Sequence, residues 1–235
     1  MQTFKTLKDI YTRLLEHFGP QRWWPTGSPA GRPGETPART PTAGGTFEVI
    51  VGAILTQNTN WSNVEKAINN LKAADLLTPE KLHKCPLAKL AEMIKPSGYF
   101  NIKAKRLKNF LNWLHENYEG DLNRLFALET STLREALLSV KGIGPETADS
   151  IALYAANKPT FVCDAYTYRI MLRHRMVPEE TGYDELKALF EDNLEKDVKL
   201  YNEYHALLVR LGKTYCKKTN PLCEQCPLDE LEHDT

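Results

Sequence analysis

Along nearly the whole chain, large apolar residues return at every third or fourth position, and nowhere do they alternate with polar ones over the length of a strand. That pattern restricts the polypeptide to helices packed on helices, without a half-buried sheet or a strand-turn-helix nucleotide-binding unit. The expected fold class is therefore all-α. Phe4, Leu7, Tyr11, Leu14, Leu15 and Phe18 define a first amphipathic helix, stopped by Gly19-Pro20. The strongly apolar stretch from Phe47 to Thr56 has the composition of a buried strand, but we read it as helix, like the following segment with Trp61, Val64, Ala67, Ile68 and Leu71. LAKLAEMI, NIKAKRLKNFLNWLHENY, LNRLFALE, STLREALLSV, TADSIALYAA, AYTYRIMLRH, YDELKALFEDNL and VKLYNEYHALLVRLGKTY continue the helical pattern to residue 215. Gly, Pro or Ser/Thr/Asp signals punctuate them.

Residues 25–45 break this pattern. They contain almost no large apolar side chain and place proline at every fourth position, at Pro25, Pro29, Pro33, Pro37 and Pro41. Such a segment cannot offset its ordering entropy by burial, and a mobile loop is expected. Elsewhere, 42% hydrophobic residues are enough for an ordinary core. Thirty basic and thirty acidic residues cancel, so the overall field neither draws the protein to nucleic acid nor keeps it away. No apolar run reaches membrane-spanning length, and charges interrupt the first residues where a signal peptide would be apolar. The expectation is a cytoplasmic protein with no membrane partner.

Chemistry concentrates in three places. In VKGIGPETAD, residues 140–149, Gly142 and Gly144 allow a tight turn that brings backbone N–H groups close to an anion, and Pro145 presets the first turn of a helix. About twenty residues on, in FVCDAYTYR, Asp164 opens another helix. Taken alone, an aspartate there is an ordinary N-cap. The third place is CKKTNPLCEQCPLDELE, where Cys216, Cys223 and Cys226 crowd together while Cys85 and Cys163 stand apart. In a reducing compartment that clustering suggests a metal rather than disulfides.

KGIGPETADSIALYA followed by FVCDAYTYRI resembles the helix-hairpin-helix DNA glycosylases of the endonuclease III superfamily. ILTQNTNW, GYFNIKAKRL and the C-terminal cysteines occur in that family's order, while the proline-rich stretch lies outside the match. The resemblance implies a two-lobed fold. Residues 1–24 would be an N-terminal helix of the second lobe, 25–45 the loop, 46–157 a six-helix lobe with the hairpin, 158–215 the catalytic-aspartate lobe and 216–235 a cysteine-cluster loop. DNA would lie in the groove between lobes, with Asp164 at its mouth. Breaking an N-glycosidic bond builds positive charge on the sugar, which the Asp164 carboxylate would stabilise, or it would activate the water that captures it. Where bifunctional members carry a lysine that attacks the sugar, this chain has Glu146, which cannot form an imine. The implied activity is monofunctional, with AP-lyase activity weak or absent. As a residue, Glu146 also suits the first turn of a helix through the helix dipole.

WWP, FEVIVGAILTQNT and PSGYFNIKAKRL look most like the 3-methyladenine glycosylase branch, which shares the glutamate. Trp23, Trp24 and Phe47 match aromatic residues that build that branch's base pocket, and Lys213 matches a pocket lysine; a second one falls here at Leu207. An alkylated purine is cationic, stacks on aromatic faces and leaves readily. By spacing alone, the three aromatics equally fit a core. Gln57 matches the residue filling the gap left by a flipped base, and Tyr99 the wedge against the opposite strand; each also fits a cap or surface role. Gly142, Gly144 and Thr147 of the hairpin, with Lys103, Lys105 and Arg106, would meet phosphates of double-stranded DNA. A monomer associated with the nucleoid is expected. A mismatch glycosylase for uracil or thymine, or a damage-binding protein without turnover, remains the alternative.

The cysteine spacing, six residues then two, resembles the first three ligands of the family's [4Fe–4S] loop, whose fourth cysteine would follow after five more residues. Glu232 stands there. A [4Fe–4S] cluster with another fourth ligand, a [3Fe–4S] cluster, and zinc held with His233 are the options. Lys217 and Lys218 of that loop would reach DNA.

Overall fold

The computed structural model describes residues 2–21, 23–24 and 43–234, and among these residues it is all-α, with twelve α-helices and no strand. Its chain divides into two compact units, one built from Met1–Trp23 and Pro159–Thr235, the other from Trp24–Lys158.

The central element of the second unit is α2, Ala43–Leu55. Phe47, Val49, Ile50, Val51, Ile54 and Leu55 in it are fully buried, and its one charged residue, the buried Glu48, is paired with Lys72 of α3 at 2.7 Å, as a helix enclosed by others requires. Around it pack α3 (Trp61–Ala73), α6 (Phe100–Tyr118) and α9 (Pro145–Ser150), the last continued by a π-helical turn, Ile151–Ala155. Asn60 caps α3, its side chain accepting the Asn63 N–H at 3.1 Å. Short helices complete the unit: α4 (Pro79–Lys84), α5 (Leu87–Met93), α7 (Leu122–Phe126) and α8 (Thr130–Leu138). Among its described residues this unit holds eight α-helices, α2 to α9. The α4 helix has no counterpart in the periodicity, because its only buried residue is Leu82 and one residue sets no period. Helix α2 begins at Ala43, so the last three residues expected in the proline-rich loop are helical. The rest of that loop lies outside the described residues.

The first unit contains α1 (Gln2–Phe18), α10 (Ala165–Arg173), α11 (Tyr183–Glu191) and α12 (Val198–Thr214). Helix α1 buries Leu7, Ile10 and Leu14 and packs on α12, where the Tyr204 hydroxyl donates to the Leu7 carbonyl at 2.8 Å. Phe161 stacks on Phe190 with ring centroids 4.0 Å apart, and Tyr201 and Tyr204 meet Phe161 edge-on at 5.4 and 5.9 Å. Each such pair adds about 0.5–1.5 kcal/mol beyond its burial. Helices α10 and α12 touch at Gly212, where a Cβ would lie 2.4 Å from Cδ1 of Tyr166. The bare glycine sets how near the start of α10 comes to α12.

Candidate active site

That start is Asp164, the N-cap of α10. Its Oδ1 accepts the N–H groups of Tyr166 and Thr167 at 2.9 and 2.8 Å and the Thr167 hydroxyl at 3.1 Å. Oδ2 is left to another partner, His205 of α12, whose Nε2 lies 3.7 Å away. Burial alone would raise the Asp164 pKa, but His205 and the Thr167 donors outweigh it and hold the carboxyl below its ordinary value. The aspartate is therefore both a cap and a charged group with one oxygen outside the cap. Preceding it, Cys163 is buried, its N–H 3.4 Å from the Tyr183 hydroxyl, and it is a packed small residue.

Sequence reasoning passed over His205. On α12 it falls between Tyr204 and Leu208, both fully buried, where periodicity marks only core. The available signal was a titratable residue on an apolar face. The same unit holds Lys213 and Trp23, the ammonium 6.0 Å from the indole centroid. Burial lowers the Lys213 pKa, Asp164 opposes that, and Arg210 adds to it. Asp164, His205, Lys213 and Trp23 thus gather in one unit. Leu207 is fully buried in α12.

The second unit carries the hairpin. Between α8 and α9 the chain turns through residues 140–144, closed by the Ile143 N–H donating to the Val140 carbonyl at 3.0 Å. Gly142 has φ +102°, and a Cβ there would meet Arg106 Cγ at 2.5 Å, so both backbone and packing demand glycine. Gly144 is different: its backbone is extended, no atom lies within 4 Å of where a Cβ would stand, and it caps α9 in the open. Glu146 is exposed in the first turn of α9. Gln57 reaches this turn from the loop after α2. Its Nε2 donates to the Gly142 carbonyl at 3.2 Å and to Thr147 Oγ1 at 2.9 Å, while its Oε1 accepts from Arg106. Arg106 is thereby committed to a protein partner, whereas Lys105 is exposed.

Lys103 corrects the reading of it as part of a phosphate-facing surface. It is 1% exposed, and its ammonium donates to the Leu55 carbonyl at 2.7 Å, Thr59 Oγ1 at 2.6 Å and the Ser97 carbonyl at 2.7 Å. Burial, with Arg106 nearby, lowers its pKa to about 8. It ties the loop carrying Gln57 to the turn before Tyr99. Tyr99 itself is 70% exposed at φ +45°, a left-handed conformation uncommon for a bulky residue.

Of the expected pocket aromatics in this unit, Trp24 is half-buried. Its ring sits over Gly52 of α2, with Trp61 at 5.1 Å and Tyr154 of the π-helical turn at 5.3 Å between centroids. Phe47 has no exposed surface and lies in the core of this unit.

The C-terminal loop closes the first unit. Cys216, Cys223 and Cys226 line one small cavity, partly open to solvent, together with His174 and His233. Arg173 Nη1 lies 3.2 Å from the Cys216 sulfur. Among the described residues no three His, Cys, Asp or Glu side chains stand close enough to hold a single metal ion. Thiolates on one tetrahedral zinc at 2.3 Å would be only about 3.8 Å apart. The three thiols line the cavity without gathering as a metal site. Lys217 and Lys218 are exposed, and their carbonyls accept from Arg173. Cys85, buried in the second unit with its thiol toward the Pro86 carbonyl, belongs to neither group.

Comparison with known proteins agrees with this geometry. Residues 51–196 match the HhH-GPD superfamily of base excision DNA repair proteins. A candidate DNA repair glycosylase of Methanocaldococcus jannaschii is 46% identical over 230 residues, which cover 97% of this chain and 96% of that protein. The crystal structure of a 3-methyladenine DNA glycosylase of H. pylori bound to 1,N6-ethenoadenine has a TM-score of 0.71 at 31% identity, covering 90% of this chain and 97% of that one. A trapped endonuclease III–DNA covalent intermediate has a TM-score of 0.75 at 20% identity, covering 98% and 96%, a likeness of fold. The chain belongs to the HhH-GPD superfamily. Within it, the protein is a base excision repair DNA glycosylase, and no helix among its described residues is long and apolar enough to cross a membrane.

Proposed function

We propose that this glycosylase is monofunctional: it hydrolyses the N-glycosidic bond of alkylated purines of the 3-methyladenine type in double-stranded DNA and leaves an abasic site. The observation that carries this reading is Asp164, held ionised by His205 and Thr167 in a chain that has Glu146 where strand-cleaving relatives have an amine. As the C1′–N bond breaks, its electron pair leaves with the base. The carboxylate meets the positive charge developing on the sugar, and water supplies the oxygen that bonds to C1′. An N3- or N7-alkylated purine leaves without a general acid because it already carries the positive charge.

Trp23 and Lys213 in the first unit are assigned to recognition of the flipped base, in keeping with the ethenoadenine ligand of the H. pylori enzyme. Gln57, clamped by Arg106 and Thr147, is assigned to the gap the base leaves, and exposed Tyr99 to the opposite strand. The amides at Gly142 and Gly144 would hold phosphate. Asp164→Asn tests the reading. Release of methylated purines should fall by roughly 10²–10⁴-fold while duplex binding changes little. Release that survives the substitution, or a borohydride-trapped protein–DNA complex with the unaltered chain, would overturn it.

A further inference from the structure

Lys103 is a buried cation whose three hydrogen-bond partners, the Leu55 and Ser97 carbonyls and Thr59 Oγ1, include no carboxylate. Thr59 has one hydroxyl proton and gives it to the Ser97 carbonyl at 2.6 Å, so its oxygen can only accept from Lys103. Three acceptors need three N–H donors, which an ammonium has and a neutral amine lacks. Burial and Arg106 both work against that charge, and an apolar side chain of similar length would avoid the penalty. The cation is therefore held for what it joins.

Leu55 stands two residues before Gln57 and Thr59 two residues after it, while Ser97 stands two residues before Tyr99. Gly98 and Tyr99 both have positive φ, +66° and +45°, and a bulky residue keeps that backbone only where its surroundings fix it. The Tyr99 carbonyl accepts the N–H groups of Ile102 and Lys103, both at 3.0 Å, which ties the turn to the helix that carries the ammonium. One turn further along α6, Arg106 donates to Gln57 Oε1. A single helix thus holds the backbone on both sides of Gln57, the Gln57 amide, and the turn that presents Tyr99.

We propose that Lys103 is a positioning residue for base extrusion: its ammonium sets Gln57 and Tyr99 in register, so that one fills the gap in the stack while the other meets the opposite strand. The proposal rests on the roles assigned to those two residues above. Lys103 reaches neither DNA nor the reacting atoms, and it acts on the step before the glycosidic bond breaks.

The test is single-turnover release of whichever damaged base the unaltered full-length protein removes fastest, from two duplexes. In one the damaged base is paired; in the other it faces an abasic site, so that little pairing has to be broken. Lys103→Met should slow release from the paired duplex by roughly 10–10²-fold and from the other by less than about threefold, since misplaced groups cost rate only in the step they serve. A fluorescent adenine analogue beside the damaged base should brighten more slowly in the same variant. Thr59→Val, which keeps the size of the side chain and removes its oxygen, should show the same selectivity to a smaller degree, and it decides the matter if Lys103→Met does not fold. Equal losses on both duplexes, or unchanged release from the paired one while Gln57→Ala and Tyr99→Ala slow it, would overturn the proposal. Gln57→Ala and Tyr99→Ala proteins that release the paired base at the parent rate would instead overturn the roles on which it rests.

Discussion

Asp164 keeps its charge against burial because partners from two elements hold it, and that gives its pH behaviour a sign. Its folded pKa lies below the ordinary value. Its contribution to stability is therefore complete above the unfolded carboxylate range, near 3.9, and is lost as pH falls through the depressed folded value. His205→Ala removes the partner of Oδ2 and leaves the Thr167 donors to oppose burial. The acid limb of the single-turnover pH–rate profile for base release should then move to higher pH, and an unchanged limb would dissociate His205 from the carboxylate. The places of Asp164 and Glu146 at helix starts were legible in the sequence because each sits beside a local signal, a helix start and a glycine turn. His205 and Lys103 were not. Charge pattern in NIKAKRLKNF marks a basic helix without saying which lysine turns inward, and the acceptor at Leu55 lies 48 residues away.

Among the elements, the loops around the hairpin are held by a few buried polar contacts rather than by helix packing. Lys103→Met should leave the Leu55 carbonyl without this donor, at about 1–3 kcal/mol, while the Ser97 carbonyl keeps the Thr59 hydroxyl at 2.6 Å; the loss is read as a lower denaturation midpoint. Gly142→Ala should destabilise, through its positive φ and the Arg106 contact. Gly144→Ala, in open space, should stay within about 0.5 kcal/mol of the parent protein. Equal effects at the two glycines would contradict this account of the turn. Gly212→Ala should force α10 from α12 at a cost of about 1–3 kcal/mol and disturb the Asp164–His205 pair. The long helices could be read from apolar period and stop signals. Helix α4 offered too few apolar positions, and the π-helical turn of IALYA has no local signature that distinguishes it from α-helix.

For the whole molecule, the all-α class followed from the absence of alternation, and the order of motifs from residue 51 to residue 226 was enough to point to the family. Periodicity does not say which helices bury their faces together: α1 joins α12, nearly 200 residues later, through the Tyr204–Leu7 bond, and only the resemblance placed the N-terminal helix with the later ones. Substrate choice rests on fewer groups still. In the proposed reading the aromatic residues stack on a flat cationic base, while Glu146 stands in place of an amine nucleophile. The most direct measurement is incubation with methylated duplex DNA, with chromatography of the released bases and strand scission scored before and after alkali. Free methylated purines, with nicks only after alkali, are the predicted result. Nicks without alkali, or release confined to uracil or thymine from mismatched duplexes, would contradict it.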